Sequence, residues 1–426
     1  MPTIAEAAPT RRVGLGAPLV VLALLCALYF ILYLDRTNIS TAAPLIRQDL
    51  GLSNTQMGLV FSAFAIPLAF FQLIGGPLAD RFGPRLVLTA CCALVGVSTI
   101  LTGTAGGFAT LVAARIVLGL GEGAANSTAT RAMSSWVPAG RWGFAQGITH
   151  SFARLGNAIA PPLMVALFAV TTWRLAFVIL GAASLAWLGV WAWYFRDDPR
   201  SHPSITEADL RTLPPGRAGE RPAVPWLRLA RHIYPVTLVD FCYGWTVWLF
   251  LSWIPTFFLE NYQLKLSQSA FFASGVLLAG LVGDTVGGLL SDRILRRTGS
   301  LLAARRSVIV GGLSGAFVFM IPVVLVHDLT TSAVCLSLAF FCAELVVAPI
   351  WAVPMDIAPR YAGTASGMMN FGFAVAGLVS PSSFGYLVDL TGSWVVPFTG
   401  SIVLLPIGAV LAAGLRPDRP LADAGL

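Results

Sequence analysis

Twelve long apolar runs follow one another along the chain, and they constrain its fold more than any motif does. Six lie near residues 18–40, 56–79, 86–104, 107–131, 144–168 and 173–195, and six near 234–258, 268–291, 306–327, 331–355, 363–388 and 394–414. Each approaches the roughly 20 apolar residues that a helix needs to cross a bilayer core. Inside lipid the backbone must satisfy its own polar groups, and apolar runs of this length do so as helices. Several runs contain Gly and Pro, which membrane helices tolerate better than soluble ones. The first run follows Arg11 and Arg12, as a signal peptide's would. It is long, however, continues into Asp35-Arg36 and shows no convincing cleavage site, so it reads as a retained span.

Composition points the same way. Of 426 residues 56% are hydrophobic and 11% charged, against about 25% charged in soluble domains. These values exclude a soluble enzyme, a disordered chain and a nucleic-acid binder. Cys26, Cys91, Cys92, Cys242, Cys335 and Cys342 sit inside apolar runs, without a C-x-x-C pair or a Cys/His cluster. They read as small hydrophobes, and neither a disulfide framework nor a metal site is indicated. No cofactor is implied, and the chain has no Walker motif to drive transport with ATP. Gly119-x-Gly121-x-Gly123 resembles a dinucleotide loop only superficially, because no strand precedes it. Gly119 and Gly123, four apart, suit close helix packing instead. Asn38-x-Ser40 and Asn126-x-Thr128 match glycosylation acceptors but fall within spans.

The stretch 196–233 differs from its surroundings, with seven arginines, six prolines, acids, His202 and His232. It reads as a polar linker between a six-helix bundle over 1–195 and another over 234–426. The predicted fold class is an all-α membrane protein of 12 transmembrane helices. With the N-terminus inside, 21 of the 27 cations face the cytoplasm, including Arg11, Arg12 and all seven linker arginines, and three face outward: Arg47, Arg174 and Lys265. That asymmetry over short loops follows the positive-inside rule and predicts cytoplasmic termini. The net charge of +7 is then mostly a topology label.

The two halves echo each other. Gly76-Pro-Leu-Ala-Asp80-Arg81-Phe-Gly83-Pro-Arg85 follows span 2, and Gly288-Leu-Leu-Ser-Asp292-Arg293 follows span 8, 212 residues later. Ala145-x-Gly147 and Pro161 in span 5 return as Ala365-x-Gly367 and Pro381 in span 11, at an offset of 220. Two parallel copies of a six-span unit suggest bundles that face a central cavity and rock about it.

Charges inside the spans cost about 2.5–3.5 kcal/mol each on insertion scales, and so require a reason. Asp35 and Arg36 lie in span 1, Arg115 and Glu122 in span 4, His150 and Arg154 in span 5, Asp284 in span 8 and Glu344 in span 10. Arg115 and Glu122 are two turns apart on one face, about 10.5 Å along the axis. Arginine binds carboxylates through a planar fork and stays charged. A buried carboxylate can take up a proton near neutral pH. Arginines beside carboxylates therefore suggest proton-coupled anion transport, in which protonating the acid frees the arginine for substrate. Static ion pairs are the plainer explanation, but buried pairs seldom stabilise more than apolar packing would. Glu344 reads either as a second proton site or as the partner of an arginine across the cavity. Trp245 and Trp248 could wall the cavity or belong to an interfacial belt. Asp284 is assigned to the loop near Asp292, and Asp240 and Asp356 to solvated helix ends.

The loop after span 2, G-x-L-A-D-R-F-G-x-R, resembles the signature of the major facilitator superfamily, and the likeness covers the whole chain. It implies that Gly76, Asp80, Arg81, Gly83 and Arg85, and more weakly Asp292 and Arg293, contact neighbouring helix ends and lock one conformation. Y-L-D-R-x-N-I-S in span 1, Gln56-x-Gly58 with Ser62-Ala63-Phe64, and G-x-G-E in span 4 resemble the anion:cation symporter branch. That resemblance implies an inner-membrane secondary transporter importing a sugar acid, aromatic acid or dicarboxylate with protons. By that resemblance Arg36 and Arg115 would touch substrate or its counter-ions, and Asp35 and Glu122 would be proton sites; Tyr33, Arg154, Asn370 and Trp245 are further substrate candidates, and Glu344 a further proton candidate. The expected partners are the small organic anion, protons and the lipid bilayer, with the chain acting as a monomer. A proton-driven efflux antiporter, an organic-anion exchanger and a transporter-like sensor are the rivals.

Overall fold

The computed structural model describes residues 16–138, 141–214, 224–419 and 421, apart from the side chains of residues 73, 142, 143 and 360. Arg11, Arg12, Arg217 and Arg221, counted in the charge asymmetry, lie outside the described residues. Among the described residues, twelve helical spans are long and apolar enough to cross a membrane.

Before the linker come α1 (Ala17–Leu50), α2 (Asn54–Ala63), α3 (Ala65–Phe82), α4 (Pro84–Gly103), α5 (Phe108–Trp136), α6 (Trp142–Phe168) and α7 (Trp173–Tyr194). A short α8 (Glu207–Thr212) lies in the linker. After it come α9 (Trp226–Asn261), α10 (Leu266–Thr298), α11 (Leu301–Leu325), α12 (Leu329–Glu344), α13 (Val347–Ile357), α14 (Ala362–Thr391) and α15 (Thr399–Ala413). The seventh span starts eight residues before its apolar run, because Trp226 to Ile233 continues the helix despite Arg228 and Arg231.

Local chemistry sets the ends. Ser53 opens α2 with a reciprocal capping box, its hydroxyl accepting from Gln56 N–H while the Gln56 side chain accepts from Ser53 N–H. Thr172, Ser300 and Asp328 cap α7, α11 and α12 in the simpler way. Gly51 stops α1 in the left-handed region at φ 64°.

Two spans are broken rather than continuous. The second divides at Phe64 and the tenth at Leu345–Val346. Pro67 and Pro349 stand four residues beyond Ala63 and Leu345, so each removes the N–H that those carbonyls would accept. At Val346 the N–H turns instead to Ala343 O, three residues back. A glycine of a neighbouring span presses on each break. A Cβ on Gly119 would overlap the Phe64 carbonyl oxygen, and one on Gly287 the Leu345 carbonyl oxygen.

In the first bundle α1 packs on α6, and α5 on both α3 and α4, with α7 against α4. In the second bundle α9 packs on α14 and α15, and α12 on α10 and α11. The bundles meet where α2 and α3 face α14, α6 faces α10, and α1 faces α9. The end with residues 51–53, 104–107, 262–265 and 392–395 is called distal, and the opposite one the linker end. Large apolar side chains such as Phe70, Phe271, Leu289, Val318 and Val410 are exposed around the outside. In a bundle with twelve membrane-length helices, these are the surfaces that meet lipid tails.

Candidate functional site

The charged side chains of the first bundle converge. Arg36 donates to Glu122 from Nε at 3.1 Å and from Nη2 at 2.7 Å, and Glu122 is fully buried. The guanidinium lies 4.4 Å from the ring centre of Tyr33, 5.3 Å from Phe64 and 6.0 Å from Trp248. Arg115 is 3% exposed and lies 5.0 Å from the Phe64 ring. Both guanidinium groups thus lie within cation–π range of the Phe64 ring. Arg115 Nε and Glu122 Oε1 are buried without a hydrogen-bond partner. Among the described residues an arginine and a carboxylate thus each keep unused bonding capacity at one level.

Asp35 turns away from Arg36. Its carboxylate accepts from Asn38 Nδ2 and Ser184 Oγ, both at 3.1 Å, which places it against α7 inside the first bundle. Thr37 bonds Asn157 Oδ1 at 2.7 Å and ties α1 to α6.

A second cluster crosses between the bundles. Arg154 on α6 reaches Asp284 on α10 at 3.2 Å and Glu344 at the end of α12 at 2.8 Å. Tyr243 OH donates to the other oxygen of Glu344 at 3.3 Å. Glu344 thus has an arginine partner from the opposite bundle. Asp284 is corrected: it pairs with Arg154 and does not belong to the loop after span 8. His150 meets the Tyr29 ring in a tilted contact, with the ring centres 5.6 Å apart. Asn370 donates to Gln72 across the bundles.

The tryptophans of span 7 act mainly as fasteners. Trp248 Nε1 donates to Phe373 O at 3.0 Å and Trp253 Nε1 to Pro381 O at 2.9 Å, so both clamp α9 to α14. Trp245 is half-buried with its Nε1 unpartnered, and it packs near Gly400 of α15. Asp240 and Asp356 are also corrected. Asp240 is 1% exposed and accepts from Phe373 N, and Asp356 pairs with Arg305 at 2.9 Å. Counting distance from a helix end misjudged them, because α9 is longer than its apolar run and α13 packs its face inward.

Gly76, Asp80 and Arg81, expected in a loop, lie in the last turns of α3, and the chain turns only at Gly83; this end touches neighbouring helix ends. Asp80 pairs with Arg131 of α5 at 2.9 Å. Arg85 Nε donates to Ala192 O at 3.1 Å, and its backbone N–H to Asp197 at 2.8 Å. Gly83 has φ 82°, and a Cβ there would lie 2.6 Å from Asp197 Oδ2, so both conformation and space require glycine. A Cβ on Gly76 would meet nothing within 4 Å, and Arg81 lies against the Phe82 ring at 5.2 Å. The echo after span 8 is looser. Asp292 and Arg293 lie inside α10 rather than in a loop, and their exposed side chains form no hydrogen bond or ion pair among the described residues. There Arg305 does the tying, bonding Ser291 as well as Asp356.

Sequence reasoning overlooked Gln72, Asn157 and Ser184 at this site. Each is a neutral polar residue in an apolar span, a weak signal because many such residues only bond their own helix.

Comparison with known proteins agrees with this architecture. The chain matches the family model described as Major Facilitator Superfamily over residues 25–381. It is 49% identical over 413 residues to a probable sulfoacetate transporter of Cupriavidus necator, covering 95% of this chain and 96% of that one. It is 30% identical to a hexuronate transporter of Bacillus subtilis, covering 91% and 92% of the two chains. Among solved structures, an inward-facing bacterial homolog of the human lysosomal transporter Spinster matches with TM-score 0.78 at 18% identity, covering 96% of this chain and 99% of that one. A D-xylose-proton symporter matches with TM-score 0.75 at 15% identity, covering 95% and 99%. At such identities the structural likeness carries the fold alone. With twelve spans in two bundles and a family match across most of its length, the chain belongs to the major facilitator superfamily and is a membrane transporter rather than an enzyme.

Proposed function

We propose that this transporter imports a short organic anion with protons by alternating access, and that the anion carries a sulfonate or a carboxylate. The observation that carries the reading is the Arg36–Glu122 pair beside Arg115, whose Nε lacks a partner. Arg115 offers an arriving anion a donor that needs no bond broken. Arg36 becomes available once Glu122 takes a proton, because the bond to a neutral acid is weaker than to a carboxylate. Tyr33 and Phe64 support the two guanidinium planes. Asn370 with Gln72, and half-buried Trp245, would contact the uncharged parts of the substrate.

Similarity to a probable sulfoacetate transporter over almost the full length favours a small sulfonate with a carboxylate end. A sulfonate stays ionised at any physiological pH. The sulfonate end cannot shed its charge by binding a proton, which favours protein carboxylates as the proton carriers. Glu122, Asp35 and Glu344 are the candidates. The cation asymmetry supports a cytoplasmic linker end in a bacterial inner membrane. The Asp80 and Arg85 contacts would hold the linker end of the first bundle together while the bundles rock. We further assign residues 1–195 and 234–426 as the rocking units, joined by 196–233 and acting within one chain.

Proteoliposomes with a pH-sensitive dye inside test this reading. External sulfoacetate, hexuronates, aromatic acids and dicarboxylates are added in turn. Acidification of the lumen with one class establishes symport and names the substrate. No acidification, with labelled-anion exchange intact, replaces symport by exchange. Silence in both assays removes the anion reading.

A further inference from the structure

At the distal end, α2 and α14 run antiparallel along a seam with a regular register. Pro381, Gly385 and Asp389 are spaced by four and share one face of α14. A Cβ on Gly58 would lie 2.5 Å from the Pro381 carbonyl oxygen and 2.9 Å from Ser382 Cα. A Cβ on Gly385 would overlap the Asn54 carbonyl oxygen. One turn further, Asp389 meets the start of α2. Its Oδ1 accepts from Asn54 N at 3.2 Å and Asn54 Nδ2 at 2.8 Å, and its Oδ2 from Thr55 N at 2.7 Å and Thr55 Oγ1 at 2.6 Å.

The start of α2 thus has two caps of different origin. Ser53, from the same chain segment, satisfies Gln56 N through its hydroxyl and Met57 N through its carbonyl. Those bonds travel with α2 wherever the first bundle moves. Asp389, from the other bundle, satisfies Asn54 N and Thr55 N only while the bundles touch. A carboxylate at a helix N-terminus is also favoured by the helix dipole.

We infer that Asp389 is a latch that holds the distal gate shut by capping α2 from the opposite bundle, with Gly58 and Gly385 as the seam it closes. The inference rests on the alternating-access reading above. Asp389 is exposed, so on opening water replaces its four donors and the latch releases without burying a bare charge. The device is not duplicated by the internal repeat. At the repeat offsets Asp389 corresponds to Ala169, and Gly58 to Ala270. The related seam between α6 and α10 is joined instead by Ser274 Oγ donating to Ala158 O at 2.6 Å. Across α1–α9 the distal end carries only the longer Arg47–Glu260 ion pair at 3.9 Å, so among the described residues the hydrogen-bonded carboxylate latch lies at α2–α14.

The test uses the full chain in right-side-out vesicles and no substrate, so it is independent of substrate identity and proton coupling. Ser62, one turn below Gly58 on α2, is 2% exposed with an unpartnered hydroxyl. Ser62→Cys reports distal opening to a membrane-impermeant maleimide, with the unmodified chain giving the background of the native cysteines. Asp389→Ala, which removes the latch, and Gly385→Ala, which props the seam, are each expected to raise the labelling rate at least five-fold. Asp389→Asn serves if the alanine variant does not fold, since it keeps the shape and removes the charge. Rates within two-fold of the parent in folded Asp389 and Gly385 variants overturn the latch. Loss of anion transport in the parent chain, with the labelling difference intact, overturns the functional reading and leaves the latch standing.

Discussion

Arg36 places both Nε and Nη2 on the same oxygen of Glu122, leaving Glu122 Oε1 with no partner. The pair is therefore strong in charge but incomplete in hydrogen bonding, which suits a contact that must be exchanged. Arg36→Ala leaves a buried carboxylate unpaired, a loss of about 3–5 kcal/mol in comparable sites. It is expected to lower the melting temperature in detergent and to abolish the shift produced by added anion. A retained ligand-induced shift would remove Arg36 from the binding site.

Glu122→Gln is nearly isosteric and keeps an acceptor for Arg36. Anion exchange between equal internal and external pools is expected to persist, while accumulation driven by a proton gradient falls at least ten-fold. Accumulation at the wild-type level would assign coupling to another carboxylate, with Asp35 and Glu344 next in line.

Arg154 hydrogen-bonds Asp284 and forms an ion pair with Glu344, both on the opposite bundle. Removing it by Arg154→Met leaves Asp284 and Glu344 facing one another without a cation, with an expected loss of about 3–5 kcal/mol. Adding Glu344→Gln should recover part of that loss, giving a double-mutant coupling of about 1–3 kcal/mol. Additive losses would mean that the cluster does not act as a unit.

Gly119 sits where a Cβ would overlap the Phe64 carbonyl oxygen, whereas at Gly147 a Cβ meets nothing within 4 Å. Gly119→Ala is expected to cost about 1–3 kcal/mol through overpacking. Gly147→Ala should be neutral or gain about 0.5–1 kcal/mol, because alanine loses less backbone freedom in a helix. Equal melting temperatures for the two variants would contradict the close packing of α2–α3 on α5.

His202 lies in the linker, 4% exposed, edge-on to Trp136 at 5.3 Å. Its Nδ1 accepts from Ser204 N at 3.1 Å, so Nε2 carries the proton and donates to Tyr194 O at 3.1 Å. Burial holds its pKa below the ordinary imidazole value. The folded state then binds fewer protons than the unfolded state, and stability falls as pH drops through the unfolded value. Melting curves at pH 7.5 and 5.5 should show a loss of about 1 kcal/mol, the worth of the Ser204 bond, and His202→Gln should flatten it. An unchanged pH dependence in His202→Gln would shift the effect to another group.

Much of this was legible in the sequence because lipid imposes simple rules. Span number follows from apolar length, and Arg36, Arg115 and Glu122 stand out because charge in a span is costly. Close packing at Gly119 and Gly123 follows from small residues spaced by four. Contacts between distant spans were not legible, since no local pattern records which helix faces which. Arg154 has two acceptors 130 and 190 residues away, and Asp389 meets residues over 330 positions earlier. Asp240 misled because helix α9 runs past its apolar run, so distance from the run's edge did not measure depth.

The breaks at Phe64 and Leu345–Val346 give each bundle an elbow. A helix bends most easily where its ladder of hydrogen bonds is interrupted, and in both cases proline has removed a rung. One elbow adjoins the Phe64 ring that both Arg36 and Arg115 approach, and the other follows directly after Glu344. A change of charge at either cluster is therefore applied at a joint, not along a stiff rod, so a small local push swings the far part of the span through a wider arc.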